Sequence, residues 1–268
     1  MAVRYDFHLH TNRSDGQFPP EVVLARCAAA GLGVVALTDH DLPQALSPGE
    51  HVFEGRTIRL IAAAEVSGMH DGHELHLLVY FRDAVPEGFR QFCADQVRER
   101  AERYQAGREN LQKPGIPEVD AEALAGDRAL TRHHLARALV AAGHAKDLRE
   151  AFAKHVGDST GMVPPFRLTF QEAIATALSH GGLTSWAHPY HEHLDRYLPT
   201  FVKWGLQGVE GIRPSSTSRD RRTARTAAKR HGLFVTGGSD WHGWYDAGPG
   251  LFAVERPEIA DFLTALGI

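Results

Sequence analysis

The chain has 268 residues, a formal net charge of −4, 43% hydrophobic residues and 23% charged residues. This composition is typical of a globular protein; it excludes a disordered or fibrous chain and the overall basic field that binds long nucleic acids, although a local patch could bind a short one. No apolar run approaches the roughly 18 residues of a membrane span, the start lacks a signal peptide's apolar stretch, and two cysteines, Cys27 and Cys93, favour buried thiols in a cytoplasmic protein.

Seven short β-prone segments alternate with helical patterns over most of the chain. The predicted strands span residues 3–9, 34–38, 58–64, 74–80, 183–187, 207–212 and 233–238, and a short strand at 251–255 is an eighth candidate. Strand signals stop between about residues 82 and 167, where helices are expected near 86–112, 118–125, 131–142 and 147–156. This stretch is predicted to be an all-helical insertion that caps the substrate.

The order of these elements predicts the fold class. Strands followed by helices favour an α/β protein with a parallel sheet and helices outside it. Polar residues at nearly every strand end favour a barrel built from residues 1–81 and 168–268, with an open doubly wound sheet as the alternative. The Gly-rich phosphate loops GxGxxG and GxxxxGK[ST] do not occur, which argues against a nucleotide site of those kinds.

Histidine is unusually frequent, with 17 in the chain, and many histidines fall at predicted strand ends. Side chains two apart on a strand point the same way, so HxH and DxH pairs each direct two side chains at one point. Nine imidazole or carboxylate residues share this placement: His8, His10, Asp15, His40, Glu65, His76, His188, Asp240 and His242. Singly, each has a plainer explanation, such as a polar turn or a core histidine, but their joint placement predicts a metal centre.

The donor types indicate the metals and the chemistry. Imidazole and carboxylate without thiolate suit Zn²⁺, Mn²⁺ or Fe²⁺ rather than a Cys-rich structural zinc site. Nine ligands exceed the needs of one ion but suit three ions bridged by Glu65. Paired metals about 4 Å apart acidify a bound water and stabilise charge on phosphorus during phosphoester hydrolysis.

Several ordered motifs resemble one family over nearly the whole chain. DFHLHTNRSDG, ALTDHD, AEVS, ELHLL, TRHHLARALV, AHP and GSDWH are similar to the PHP (polymerase and histidinol phosphatase) family, especially its TrpH-like metal-dependent phosphoesterases. The resemblance implies a distorted seven-stranded (β/α) barrel of PHP type with three divalent metals. It assigns His8, His10, Glu65 and Asp240 to the first metal, Glu65, His76 and His188 to the second, and Asp15, His40 and His242 to the third.

The resemblance also implies a range of substrates. These are nucleoside 3′,5′-bisphosphates, short RNA 5′ ends attacked stepwise, and cyclic or non-nucleotide phosphoesters. Two segments depart from the family pattern: AHPYHEHLD lacks the usual Gly-Arg-Tyr, and VEGIRPSSTSRD lacks an expected histidine. Both departures leave the metal ligands untouched and the substrate open.

Substrate contacts are expected from residues near phosphate-binding positions. Arg132 and His134 follow the expected N-cap Thr131 at a helix start, where free N–H groups and Arg suit phosphate; capping and packing are the alternative. His133 is expected to face solvent. Further substrate-binding candidates are Arg167, His191, Arg213, Ser215 and Arg219, and Trp186, Trp241, Trp244 and Phe166 are candidates for stacking on a base.

The sequence thus predicts a cytoplasmic phosphoesterase acting on a small phosphorylated substrate, without long nucleic acid or a membrane as partner. Three divalent ions, with Mn²⁺ favoured over Zn²⁺, Fe²⁺ or Mg²⁺, would generate the attacking hydroxide, and Asp240, Arg132 and His134 are the catalytic candidates. Two alternatives belong to other classes. A non-catalytic PHP domain would have lost ligands, and an amidohydrolase would usually have a lysine at a strand end.

Overall fold

The computed structural model describes residues 2–244 and 248–268, without the side chains of residues 191 and 192. Its strands form one sheet: β1 Arg4–Leu9, β2 Val34–Leu37, β3 Gly49–Phe53, β4 Arg56–His70, β5 His73–Phe81, β6 Leu183–Trp186, β7 Gly208–Ile212, β8 Phe234–Gly237 and β9 Val254–Glu255. All seven predicted strands occur, the eighth candidate at 251–255 is found in part as the short strand β9, and β3 was not predicted, so seven is not the full number of strands. Within these residues no helix is long and apolar enough to cross a membrane.

The first half of the sheet is mainly parallel. Strand β2 lies between β1 and β4 and is parallel to both, and all four of its side chains are buried. A strand that is buried on both faces of a parallel sheet usually has a continuous apolar sequence, and VVAL is such a sequence. Strand β4 is 15 residues long and continues well past Glu65, which lies within the strand rather than at its end as predicted.

Strand β5 is the main departure from the predicted parallel arrangement, because it runs antiparallel to both β4 and β6. Asp71 and Gly72 connect β4 to β5 with positive φ angles of 52° and 79°. Two such residues form the tight turn that matches the twist of a hairpin. As a result, His76 near the start of β5 lies at the same edge of the sheet as the carboxyl ends of the parallel strands.

The second half of the sheet is parallel and returns to β1. Strands β6, β7 and β8 are parallel neighbours. Beyond β8, the N–H of Asp240 donates to the carbonyl of His8 (2.9 Å) and the N–H of His10 donates to the carbonyl of Trp241 (3.0 Å). Gly238 permits this approach, since a Cβ there would lie 2.3 Å from the Cβ of His8. The sheet therefore forms a nearly closed barrel.

Helices cover the outside of the sheet and fill the segment between β5 and β6. They are α1 Pro20–Ala29, α2 Glu87–Leu111, α3 Ala121–Ala125, α4 Arg132–Ala141, α5 Leu148–Ala151, α6 Phe170–Ser179, α7 His191–Lys203, α8 Ser218–His231 and α9 Ala260–Leu266, with short helical turns at 152–156, 158–160 and 256–258. Residues 82–167 contain helices and loops only, and they share a core around Leu135 and Leu139. The boundaries of a barrel and a capping insertion stay a prediction.

Candidate metal centre

Glu65 is the middle of a cluster that starts at the end of β1. His8 and His10 are two apart on that strand, are fully buried, and bring their Nε2 atoms to 3.2 Å from each other. The two carboxylate oxygens of Glu65 lie 3.3 Å from these nitrogens, Oε1 next to His8 and Oε2 next to His10. The buried carboxylate therefore lies between the two histidines of the HxH motif.

Three more histidines approach the same carboxylate. His40, which follows β2, brings Nδ1 to 3.1 Å from Oε2 of Glu65. His76 on β5 and His188 after β6 bring Nδ1 and Nε2, respectively, to 3.2 Å from Oε1. The nitrogens of His76 and His188 are also 3.1 Å apart. Glu65 thus contacts five histidines, which come from four strands or the segments that follow them.

Two aspartates and a further histidine complete the cluster. Oδ1 of Asp240 lies 3.3 Å from Nε2 of His8 and 3.2 Å from Nε2 of His10. Asp15 contacts Nε2 of His242 at 3.2 Å and Nε2 of His40 at 3.5 Å. The structure thus brings together all nine residues that the sequence singled out.

The spacing and surroundings of these atoms fit bound metal ions. Ligands 2.0–2.2 Å from an ion lie roughly 3.0–3.6 Å from one another, the range seen here. Three buried atoms in the cluster, Oδ1 of Asp15, Nδ1 of His40 and Oε2 of Glu65, make no hydrogen bond. Buried polar atoms normally have partners, so divalent metal ions fit as the missing partners of these three atoms.

The donor atoms form three overlapping groups, each compact enough for one ion. The groups are His8, His10 and Glu65; His40, Glu65 and His76; and His10, Asp15, His40 and His242. His40 lies in the second and third groups, whereas the resemblance assigned it to the third alone. Glu65 belongs to two groups, as a bridging carboxylate does.

The electrostatics of the cluster keep its carboxylates ionised. Burial alone would raise the pKa of Asp15, but His40 and His242 hold it well below its usual range. Burial likewise opposes charge on His10, but the carboxylates of Asp240 and Glu65 beside its ring raise its pKa to about 10, and Glu65 contributes most to raising the pKa of His76 to about 9. Metal binding therefore has to displace protons from these histidines.

Sequence reasoning missed the buried carboxylate that supports His8. Glu210 on β7 brings Oε1 to 2.9 Å from Nδ1 of His8, and its Oε2 accepts from the N–H of His188 at 2.8 Å. A carboxylate on the second ring nitrogen fixes the orientation of a metal-binding imidazole. An acidic residue within the apolar strand Gly208–Ile212 was the available signal.

Asp39 and Asp41 have a similar supporting role on either side of His40. Asp39 accepts from the N–H of Thr11 (2.8 Å) and from the Ser14 hydroxyl (2.6 Å), which shapes the loop after β1. Asp41 accepts from Arg100 on α2 (2.6 Å) and from the N–H of Ser67 (2.8 Å). Both aspartates are fully buried, so this segment is more than a polar turn.

Unusual backbone conformations occur at three positions of the cluster. Asp41, His188 and Asp240 have φ angles of 51°, 31° and 55°, in the left-handed region that L residues other than Asn, Asp and Gly seldom adopt. Such strain costs about 1–3 kcal/mol per residue and persists where surrounding contacts enforce it. At His188 the hydrogen bond to Glu210 is one such contact.

Arg132 and His134 lie at the start of α4, next to the cluster. Arg132 donates to Oε2 of Glu74 (3.2 Å), and Oε1 of Glu74 lies 3.4 Å from Nε2 of His76. His134 uses Nδ1 to accept from the N–H of Thr131 at 3.0 Å, which completes a capping box. That contact matches the packing alternative for His134.

A cleft of about 680 Å³ opens beside Asp15, Asp240 and His242. Trp244 lines it and donates from Nε1 to the carbonyl of Asp15 (2.6 Å). His133 also lines the cleft, its ring 6.1 Å from that of Trp244, so the expectation that it faces solvent was wrong. Trp241 lines the cleft as well, whereas Trp186 is buried in the core and Phe166 packs under Arg103.

The remaining substrate candidates show no contact with the cluster among the described residues. Arg167 is 73% exposed and pairs with Glu102 at 3.0 Å. Arg213 is half-buried, Ser215 and Arg219 are exposed, and Arg219 lines a shallow cleft on α8. The side chain of His191 lies outside the described residues.

Comparison with known proteins agrees with this geometry. A family model for the PHP domain matches residues 6–164. The chain is 32% identical over 251 residues to the 5′-3′ exoribonuclease Rnm of Escherichia coli (strain K12), which covers 90% of this chain and 86% of that protein. This chain belongs to the PHP domain family.

Two further relatives extend the comparison. The 3′,5′-nucleoside bisphosphate phosphatase of Chromobacterium violaceum is 28% identical over 246 residues, 88% of this chain and 86% of that protein. A solved structure from Bifidobacterium adolescentis, named as a metal-dependent phosphoesterase, gives a TM-score of 0.76 at 26% identity over 97% of this PHP chain and 96% of that one. The predicted family and enzyme class, a metal-dependent phosphoesterase, are confirmed.

Proposed function

We propose that this PHP chain hydrolyses nucleotide phosphoesters, either the 3′-phosphate of a nucleoside 3′,5′-bisphosphate or successive linkages at the 5′ end of a short RNA. The convergence of nine donor residues, Glu65 among them, beside a cleft of about 680 Å³ is the observation that carries this proposal. A cleft of that size matches those that hold nucleotide-sized ligands. The named activities of the Escherichia coli and Chromobacterium violaceum relatives support the two substrate types.

Three divalent ions, with Mn²⁺ as the expected metal, are proposed to occupy the cluster in the arrangement that the family resemblance implies. His8, His10, Glu65 and Asp240 would hold the first, Glu65, His76 and His188 the second, and Asp15, His40 and His242 the third. Such ions, when bound, acidify a water molecule and stabilise the negative charge that develops on phosphorus. Glu210 holds His8 in the orientation that this arrangement needs.

The chain's own residues would bind and orient the phosphate. Arg132 is held by Glu74 at the edge of the cluster, so its guanidinium is placed to bind phosphate oxygens with little loss of side-chain freedom. His134 would assist through its second nitrogen, and Asp240, with its side chain 36% exposed, would accept a proton at its carboxylate. In this proposal residues 82–167 cap the substrate, because α4 brings Arg132 and His133 to the site.

The aromatic cleft supports a nucleotide rather than a simpler phosphoester. Trp244 and His133 offer flat surfaces next to Asp15 and His242, and stacking of a base on such a side chain contributes about 1–3 kcal/mol. A cytoplasmic location is part of the proposal, since Cys27 and Cys93 are free and buried.

Activity of metal-defined protein on two substrates tests the proposal. Adenosine 3′,5′-bisphosphate and a 5′-phosphorylated short RNA would be compared in the wild type, in His8→Ala and Glu65→Gln, and in His144→Gln as a control, because the side chain of His144 hydrogen-bonds to the carbonyl of Pro114, outside the nine-residue cluster. We expect hydrolysis of at least one substrate by the wild type and the control, and none by the two cluster variants.

The failure of both substrates would refute the nucleotide proposal. The same protein would then be assayed on cyclic and non-nucleotide phosphoesters and on an amide panel. Turnover of amides alone would support the amidohydrolase alternative, and metal binding without any turnover would support the non-catalytic one.

A further inference from the structure

Helix α8 carries the densest basic surface described in the protein. Its 14 residues contain five arginines, one lysine and a single acidic residue, Asp220, in a chain whose acidic residues outnumber its basic ones by 33 to 29. Three alanines, Ala224, Ala227 and Ala228, face the barrel. The basic side chains therefore project from the outer face of the helix.

The helix does not neutralise these charges. Asp220 is used in the capping box, where its carboxylate accepts from the N–H and hydroxyl of Thr217. Arg221 and Arg225 share Glu258, and Arg230 lies 3.7 Å from Asp195. Among the described residues, no ion-pair partner is found for three basic side chains of α8: Arg219, Arg222 and Lys229.

The spacing of the charges makes this arrangement costly for the helix alone. Like charges three or four positions apart, such as Arg219 with Arg222, destabilise an isolated helix by about 0.2–0.5 kcal/mol per pair. In water alone, nothing offsets this loss of helix stability. A polyanion bound along the face would relieve it.

The position of α8 relates the basic face to the metal centre. Strand β7 delivers Glu210 to His8, and the next loop places Pro214 on the wall of the cleft beside Asp240. Helix α8 begins four residues after Pro214, so its N-terminal end lies near the rim of the site. Its 14 residues then extend for about 21 Å.

Two shallow clefts run along this face, with volumes of about 510 and 480 Å³. Arg222 and Thr226 border both clefts, and Ser218 and Thr223 add hydroxyl groups. Arginine, lysine and hydroxyl side chains are the usual partners of phosphate oxygens. Among the described residues that line these two clefts there is no aromatic side chain that could stack on a base and no large apolar side chain that could enter a membrane. Leu233 and its apolar neighbours line a separate hollow.

We propose that the outer face of α8 binds the phosphodiester backbone of a single-stranded RNA whose 5′ end occupies the metal centre. The inference rests on the proposed function and selects the RNA rather than the mononucleotide as the substrate class. The contacts are to phosphates, so binding is independent of base sequence. A local patch of this kind suits a few nucleotides and is compatible with a chain of net negative charge.

The test compares a strip variant with a charge-matched control. The strip variant is Arg222→Gln, Lys229→Gln and Arg230→Gln, and the control is Arg59→Gln, Lys113→Gln and Arg149→Gln, three basic residues in other parts of the protein. Affinity for a fluorescent, 5′-phosphorylated ten-nucleotide RNA is measured by anisotropy on a His8→Ala background, so that the RNA is not cut. Turnover of the RNA and of adenosine 3′,5′-bisphosphate is measured with His8 intact.

We expect the strip variant to bind RNA more weakly and with less dependence on salt. Each lost phosphate contact on a single strand removes about 0.7 from the log–log salt slope, so three lost contacts flatten it by about 2, or about 20-fold over a fourfold rise in salt. KM for the RNA should rise, while turnover of the bisphosphate stays at the wild-type rate. The control should match the wild type throughout.

Two results would overturn the inference: equal RNA affinity in the strip and control variants, or no RNA binding by the His8→Ala protein. If the wild type hydrolyses neither substrate, the proposed function fails, but the anisotropy comparison still decides whether α8 binds RNA. Circular dichroism of both variants checks that α8 remains folded.

Discussion

The buried pair of Arg100 and Asp41 provides a sharp test of how helix α2 is held against the barrel. Arg100 is 3% exposed, and its Nε donates to Asp41 at 2.6 Å while a terminal nitrogen donates to the Ser67 hydroxyl at 2.7 Å. Burial raises the pKa of Asp41, and Arg100 is the main group that opposes this rise. Removal of Arg100 therefore leaves a buried carboxylate without its counter-charge.

The expected cost follows from this burial. Removing one partner of a buried ion pair destabilises a protein by about 3–5 kcal/mol. With an unfolding entropy of about 2.1 cal/mol/K per residue, a chain of 268 residues has about 0.56 kcal/mol/K. Arg100→Met should therefore lower the Tm by about 5–9 °C.

Calorimetry of the metal-free protein measures this shift without a contribution from bound ions. Arg98→Met is the matched control, because Arg98 lies on the same helix but is 53% exposed and pairs with the exposed Asp95. An exposed pair contributes about 0–1 kcal/mol, so the control should shift the Tm by less than about 2 °C. Adding Asp41→Asn to Arg100→Met should restore part of the loss, since it removes the buried charge.

The reasoning would be refuted if Arg100→Met melted within 2 °C of the wild type. It would also be refuted if Asp41→Asn lowered the Tm further in the double variant, because Asp41 would then stabilise the fold by a route other than this pair.

Three further outcomes follow from the site. Glu210→Gln should weaken Mn²⁺ binding about 10–100-fold by calorimetric titration, because it removes the carboxylate that orients His8, and unchanged affinity would contradict that role. Burial lowers the pKa of His134 to about 4, whereas in the unfolded chain it is about 6.5, so between these pH values only the unfolded chain binds this proton and the stability of the metal-free protein should rise with pH. In His134→Gln this rise should be smaller by up to about 1.4 kcal/mol per pH unit, measured by urea unfolding with His144→Gln as control. Mn²⁺ at 100 times its Kd should add about 2.7 kcal/mol of stability, which corresponds to a rise of about 5 °C in Tm. Asp240→Ala should reduce this rise, and no rise in the wild type would contradict metal binding by the cluster.

The metal-centre residues could be predicted because they share a simple signal. His8 and His10 follow strand periodicity, and His40, His188 and Asp240 follow short apolar runs, so their placement requires only strand order. The structure brings them within contact distance of Glu65. Which of these residues would share one ion could not be predicted from the sequence, because it depends on differences of a few tenths of an ångström between interatomic distances.

Local turn chemistry explains the main error. The sequence His70-Asp71-Gly72-His73 contains an Asp-Gly pair between two apolar runs, a strong hairpin signal that identifies β5 as antiparallel. A second hairpin, turning at Glu54 and Gly55 between β3 and β4, has a weaker signal because Glu is uncommon at positive φ.

The supporting residues were harder to predict, because their roles arise from tertiary contacts. Glu210, Asp41 and Glu74 each look like an ordinary acidic residue in the sequence. Their partners, such as His188 for Glu210 and Arg132 for Glu74, come from distant parts of the chain. Only the folded arrangement shows that they are buried and paired.

The seam where the segment after β8 meets β1 sets the order of events when the protein is made. The N–H of Ser239 donates to Asp6, a contact between residues 233 positions apart, and His8 and Asp240 meet at the same place. Loop closure over such a distance is slow and comes late in folding. During synthesis on the ribosome the N-terminal HxH pair therefore emerges long before its carboxylate partner, so the complete centre can take up its metals only after nearly the whole chain has been made.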